Sequence, residues 1–422
     1  MDGRRLEPLR VRPFARLLVA YTVNELGDAV GIVALALLVF DRTDAVAPTA
    51  GFFLIAKFLP AFFATGLIAH VDRRPLRRAL PALYALEALV FAALGYLAEN
   101  GRFVLPAVLA LGFIDGTLAI TGRGLTRGAV ATVLQPHELI GEGNALMNFG
   151  FAVASVGGAA LGGALIAAMG LSAALFVDAA SFLVIAVLLA TSRRLPVLDH
   201  EEHESWLVRL RAGLAFARGH RLVRMLMAGQ SLALICFTLV VPIEVIYAKD
   251  SLGTTSAGFG ILLSAWGAGI VLGSLLFLAL KSRSGFGLIV AASAAVGVAY
   301  LGMSAANTLF LACVMSVVGG AGNGTQWVAV MTALQKVTPP EYQARLSGLL
   351  ESIGAALPGV GFLLGGAIVA ITSPRTAFAV AGGGILALVL IALILRPGWQ
   401  RRDGVQTSTT TGNTMGRRLS RS

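Results

Sequence analysis

Residues Glu138–Met169, ELIGEGNALMNFGFAVASVGGAALGGALIAAM, decide how this chain is read, because the stretch occurs twice. Shifted by 203 positions it lies over Glu341–Thr372, and nine of the 32 positions are identical. The identities cluster: Gly158, Leu161, Gly162, Gly163 and Ala164 return as Gly361, Leu364, Gly365, Gly366 and Ala367. Upstream, Thr132, Leu134 and Gln135 return as Thr332, Leu334 and Gln335, and Ala50-Gly51-Phe52 as Ala257-Gly258-Phe259. Landmarks in the same order without inversion imply two like-oriented units of about 200 residues, one of the plans on which transporters are built.

Composition places both units in a bilayer. Apolar residues make up 57% of the chain and charged residues 13%, against roughly 45–50% and 25% in soluble domains. Cys236 and Cys313 lie in apolar runs, so no disulfide framework is implied. Twelve apolar segments are long enough to span, at roughly 20 residues each. The fourth of them is read as Phe103–Gly122. The expected fold is an all-α integral membrane protein of twelve transmembrane helices in two parallel six-helix repeats.

Orientation follows from the basic residues. With the N-terminus inside, inner segments hold 28 of the 33 Lys and Arg, outer loops hold four, and Lys57 lies within a span. This satisfies the positive-inside rule, explains the net charge of +11 without nucleic acid, and puts both termini in the cytoplasm. The expected units are a six-helix bundle over 1–192, a cytoplasmic linker over 193–224, a second bundle over 225–396, and a disordered tail over 397–422. The linker carries Trp206–Ala217 at helical spacing, which suits a helix lying on the membrane surface. Its His200 and His203 have no further histidine or cysteine nearby, so a solvated linker is expected and no metal site.

The repeat, the twelve spans and the long basic inner loop together resemble the major facilitator superfamily over nearly the whole chain. The loop after the second span, with Asp72, Arg73, Arg74, Pro75, Leu76, Arg77 and Arg78, is similar to that superfamily's Asp-Arg-x-Gly-Arg-Arg signature. Gly158-Ala-Ala-Leu-Gly162-Gly163 is similar to the Gly-Pro-x-x-Gly-Gly signature of proton-driven exporters, with Ala159 where proline is expected. Thr126-Arg127-Gly128 through Gln135-Pro136, and Gly143-Asn144-Ala145-Leu146, resemble the branch of macrolide-efflux-like and enterobactin-exporter-like proteins. The resemblance implies a bacterial cytoplasmic membrane and a monomer. It also implies that Asp72 locks one conformation by meeting the start of helix eleven near Arg345–Leu349.

Small residues at Gly158, Gly162, Gly163, Gly361, Gly365 and Gly366 let helix backbones approach closely. Two readings are open: static packing within a half, or a sliding seam between halves that a large side chain would jam.

Charges within spans are costly, roughly 2.5–3.5 kcal/mol each at the bilayer centre. They are Glu25, Asp28, Lys57, Glu87, Asp115, Asp178, Glu244 and Glu351. Glu87 and Asp178 are read as structural, with Lys57 as a partner for Glu87. Glu25, Asp28, Asp115, Glu351 and Lys57 are the proton-coupling candidates. Asp28 and Lys57 fall at nearly equal depth on adjacent antiparallel segments, which favours an ion pair between them. Tyr21, Asn24, Glu25, Asp28 and Gly31 share one face of the first span. In the superfamily, helices one, four, seven and ten line the cavity. That implies substrate contacts from Tyr21, Asn24, Phe113, Thr117, Gln230, Phe237, Asn323, Gln326 and Trp327. Acids, amides and aromatics together suit an amphipathic or cationic compound.

The expected function is a proton-coupled exporter of small amphipathic or cationic compounds, working by alternating access. An importer, a facilitator or a lipid translocator of the same fold is the alternative. All five histidines lie at or beyond span ends, and no nucleophile motif or phosphate-binding loop occurs. An enzyme is therefore not expected, and no cofactor is called for; the partners are the lipid bilayer, the substrate and protons.

Overall fold

A computed structural model describes residues 3–71, 75–99, 102–191, 215, 218–280, 285–338 and 340–395. A short 3-10 helix, Gly3–Arg10, leads into the first bundle. Its spans are α1 (Arg12–Thr43), α2 (46–71), α3 (Leu76–Ala98), α4 (Leu105–Leu134), α5 (Ile140–Met169) and α6 (Leu171–Ala190). The second bundle is α7 (Arg221–Ser251), α8 (Ser256–Leu280), α9 (Gly285–Ala305), α10 (Leu309–Val337), α11 (Pro340–Ile371) and α12 (Pro374–Ile394). No strand occurs among the described residues. Eleven of these helices are long and apolar enough to cross a membrane. The twelfth, α10, has 29 residues, but Asn323, Thr325 and Gln326 dilute its apolar run.

Local chemistry sets the helix ends. The Thr308 hydroxyl accepts from the Leu311 N–H at 3.3 Å and starts α10. Ser373 does the same for Thr376 at 3.3 Å, with Pro374 in the first turn of α12. At the end of α5, Gly170 takes φ 86°, a conformation only glycine adopts without strain, and turns the chain into α6.

Pairing repeats from half to half. In the first, α1 packs on α5, α2 on α4 and α3 on α6; in the second, α7 packs on α11, α8 on α10 and α9 on α12. The halves meet through α5 on α8 and α2 on α11, again equivalent pairs. This is the arrangement that the doubled sequence implies.

The glycines divide between the two readings. A methyl group at Gly158 would lie 2.8 Å from the Leu26 carbonyl, and one at Gly162 would lie 3.0 Å from Val30 Cα, both on α1. Their repeat mates Gly361 and Gly365 press on Ile235, Thr238 and Leu239 of α7 in the same way. These four hold a helix pair within one half. Gly163 and Gly366 face the other half: a methyl at Gly163 would lie 3.0 Å from Gly260 Cα of α8, and one at Gly366 2.9 Å from Ala50 of α2. Adjacent glycines thus serve different interfaces, because successive positions on a helix point about 100° apart.

At the end of the helices away from both termini, the halves are tied together. Lys249 pairs with Asp41 at 3.4 Å, and Phe53 meets Phe362 edge-on at 6.0 Å. Ser264 of α8 donates to the Val156 carbonyl of α5 at 2.8 Å. The four basic residues at this end each have a local task. Arg42 donates to the Ala98 carbonyl, Arg102 pairs with Glu99, Lys249 holds Asp41, and Arg375 donates to the Ser304 and Ser251 carbonyls.

Candidate transport site

Six of the eight charges within spans lie in the first bundle, and Glu244 of α7 and Glu351 of α11 lie in the second. On α1, Asn24, Glu25 and Asp28 fall on one face and are turned toward α4. There Arg123 stands 3.0 Å from Asp28 and 3.5 Å from Glu25. Asn24 donates to the same Asp28 oxygen at 3.4 Å. Arg123 is the residue that sequence reasoning missed. The fourth span was closed at Gly122, where the apolar run ends. Yet no proline comes before Pro136, and α4 runs on through Gly124 and Gly128 to Leu134. That absence of a stop was the available signal.

Lys57 does not join Asp28, as expected from depth alone; it stands 3.9 Å from Asp115 of α4. Nor does it reach Glu87, whose carboxylate oxygens have no hydrogen-bond partner among the described residues. The cause lies in the backbone. Pro60 has no N–H to return to Ala56, and the turn before it widens into a π-helical segment, Leu54–Phe58, closed by Leu59 N–H on Leu54 O at 3.0 Å. The wide turn carries Lys57 toward α4. There Gly112 and Gly116 let the helices touch: a methyl at Gly116 would collide with the Ala56 carbonyl. Asp115 lies between those two glycines in sequence.

Asp178 of α6 sits in a notch of α1: methyl groups at Gly27 or Gly31 would run into its carboxylate. Ser181 donates to one Asp178 oxygen at 3.2 Å, while the other has no partner among the described residues. One oxygen each of Glu25, Asp28 and Asp115 is in the same position.

The second bundle holds space. Gln230, Phe237, Asn323, Gln326 and Trp327, all expected in a cavity wall, line one cavity of about 230 Å³ between α7, α9, α10 and α12. Gln326 Nε2 donates to Gln230 Oε1 at 2.7 Å across it. The expected partners from the first half do not join them. Tyr21 and Asn24 are buried against α4, Thr117 donates to its own helix at the Phe113 carbonyl, and Phe113 packs edge-on against Phe63 at 5.2 Å.

Arg77 and Arg78 are exposed in the first turn of α3. Asp72 and Arg73 lie outside the described residues, as do nearly all of the linker and the tail after Leu395. The Glu351 backbone belongs to α11, and its side chain lies outside the described set. That helix begins at Pro340, earlier than the Arg345 neighbourhood that the resemblance implied.

Comparison with known proteins decides the family. The family model described as transmembrane secretion effector matches residues 4–396. The chain belongs to that family. A mutant form of the nucleoside transporter NupG superposes on this family member with a TM-score of 0.71 at 15% identity, over 90% of this chain and 99% of that one. A bacterial homologue of the iron transporter ferroportin, in an inward-facing state, gives 0.65 at 17% identity, over 93% and 99%. A D-xylose-proton symporter gives 0.65 at 14% identity, over 90% and 96%. No curated protein matches by sequence. The family and its structural neighbours make this chain a multi-pass transporter of the major facilitator fold, not an enzyme.

Proposed function

We propose that this family member is a proton-coupled exporter of small amphipathic compounds, working by alternating access in a bacterial cytoplasmic membrane with both termini in the cytoplasm. One observation carries the reading: Arg127 acts on Glu25 from longer range, and the one guanidinium within ion-pair distance of the two buried carboxylates Glu25 and Asp28 is that of Arg123. It neutralises one of them. The other must be paired, hydrated or protonated to stay in a low-dielectric bundle. A carboxyl that gains and loses a proton while Arg123 shifts between two partners is a carrier for that proton. Asp115 beside Lys57 provides a second such carboxyl deeper in the same bundle. The positive-inside distribution supports the orientation, and on it the tied end of the helices faces outward. A cavity lined by Gln230 and Gln326, in the halves of α7 and α10 nearer the end that bears the termini, suits a protein that loads cargo inside.

The test is transport into everted vesicles of a panel of amphipathic compounds, with and without a proton gradient, for wild type and Asp28→Asn. Gradient-dependent uptake by the wild type, lost in the variant while downhill exchange persists, supports the proposal. Flux indifferent to the gradient overturns the coupling and leaves a facilitator.

A further inference from the structure

The two halves repeat in backbone but not in filling. In the first bundle, the space between α3 and α6 is packed by Tyr84, Phe91 and Phe182, fully buried, with ring centroids 5.2 and 6.5 Å apart. At the shift of 203 the positions that lie over Tyr84, Phe91 and Phe182 are Gly287, Ala294 and Ile385. Smaller side chains there leave a hollow. A second lobe of about 110 Å³ adjoins the amide-lined cavity and reaches past Met225, Phe286, Ile289 and Ala392 toward the end that bears the termini. Gln230, Ala233, Ser293, Gln326 and Ile385 line both lobes and form the neck between them.

Two features define what fits. Among the described residues, no Asp, Glu, Lys, Arg or His lines either lobe. Glu25, Asp28 and Asp115 lie in the other bundle, where Arg123 and Lys57 already serve them, and Glu244 of α7 lines neither lobe. At the neck, Gln230 is nine-tenths buried, and its hydrogen bond from Gln326 uses one acceptor and one donor of the pair. What remains is an amide N–H2 on Gln230 and a carbonyl on Gln326, a matched donor and acceptor. The two lobes together reach the lower end of the small-ligand range of about 300–1,000 Å³.

We propose that this two-lobed cavity is the binding site, and that it takes an uncharged amphiphile: a head that both donates and accepts hydrogen bonds in the larger lobe, and a compact alkyl or aryl tail through the neck into the smaller one. This deepens the exporter reading by naming the cargo class, and of the amphipathic or cationic cargo expected from the sequence it keeps the amphipathic alternative. A cation or an anion would enter without a counter-charge, at a desolvation cost the site does not return.

The experiment is equilibrium dialysis of labelled para-butylbenzamide against the full chain in nanodiscs, with empty nanodiscs subtracted. The shape-matched para-butylbenzylammonium and para-butylbenzoate serve as charged competitors. The amide is expected to bind saturably and the two ions at least about tenfold more weakly. Gln326→Leu should cost the amide about tenfold. Ala233→Phe, which closes the neck, should weaken para-butylbenzamide while leaving tail-less benzamide unchanged. Equal or tighter binding of the ammonium overturns the proposal, and so does an Ala233→Phe variant that binds like wild type. Native mass spectrometry covers the other source of an apolar tail. A phospholipid that copurifies with wild type and is lost in Ala233→Phe would mean that a bilayer lipid owns the site, and would also overturn it. Binding is read without a gradient, so a failure of proton coupling leaves this result standing, and Asp28→Asn should still bind the amide.

Discussion

Arg123 on α4 and Asp28 on α1 stand 3.0 Å apart, with Glu25 one helical turn away at 3.5 Å from the same guanidinium. Removing the cation strands two acids in a buried position. Arg123→Ala should therefore destabilise the protein by about 3–5 kcal/mol. Asp28→Asn leaves Arg123 a remaining partner in Glu25 and should cost much less. Combining Arg123→Gln with Glu25→Gln and Asp28→Asn should restore thermal stability without restoring gradient-driven transport. Thermal unfolding in detergent separates these; equal losses for Arg123→Ala and Asp28→Asn would show that Arg123 does not depend on both acids.

Gly158 and Gly163 lie five residues apart in one helix with different tasks, and the same substitution should tell them apart. Gly158→Leu drives a side chain into the α1 backbone and should lower stability by about 1–3 kcal/mol or more through overpacking. Gly163→Leu meets α8 of the other half. It should spare folding of each bundle while preventing closure of the tied end. Cysteine labelling at that end is the readout, and unaltered labelling in Gly163→Leu would make this glycine dispensable to closure.

The Lys249–Asp41 pair joins the halves at 3.4 Å with both side chains partly exposed. Screened pairs of this kind contribute about 0.2–1 kcal/mol. Asp41→Asn should then shift the balance toward opening at that end by up to about fivefold, and the shift should shrink as salt is raised. A double-electron resonance distance between spin labels on α2 and α11 would report it. A salt-independent shift would point to packing rather than charge.

Pro60 shapes the π-helical turn that delivers Lys57 to Asp115. Pro60→Ala supplies an N–H for the Ala56 carbonyl and should restore regular winding, raising stability by up to about 3 kcal/mol. It should also rotate Lys57 off Asp115 and depress gradient-driven flux. Full flux in a more stable variant would mean that the wide turn serves packing alone.

Much of this was legible before any coordinate. Apolar lengths, the doubled glycine stretch and the basic residues on one side determined a twelve-span, two-repeat membrane protein. These signals are read along the chain one segment at a time, and a bilayer leaves helices as the only spanning form such segments can take. Gln230, Phe237, Asn323, Gln326 and Trp327 came from the resemblance, which implies a cavity lined by helices one, four, seven and ten, and the structure sets them around a cavity within the second bundle without the first-half partners.

Tertiary structure alone decided who meets whom. Depth along a span placed Asp28 and Lys57 at one level. Azimuth sent them apart, and azimuth depends on a turn widened by Pro60 and on close approach at Gly112 and Gly116. Arg123 enters the site because α4 continues past Gly122, where its apolar run ends. The hollow beside α9 is a difference in side-chain volume between equivalent helices, Tyr84 and Phe91 in one half against Gly287 and Ala294 in the other. Such a difference becomes a cavity only once twelve helices are packed and the space they fail to fill can be seen.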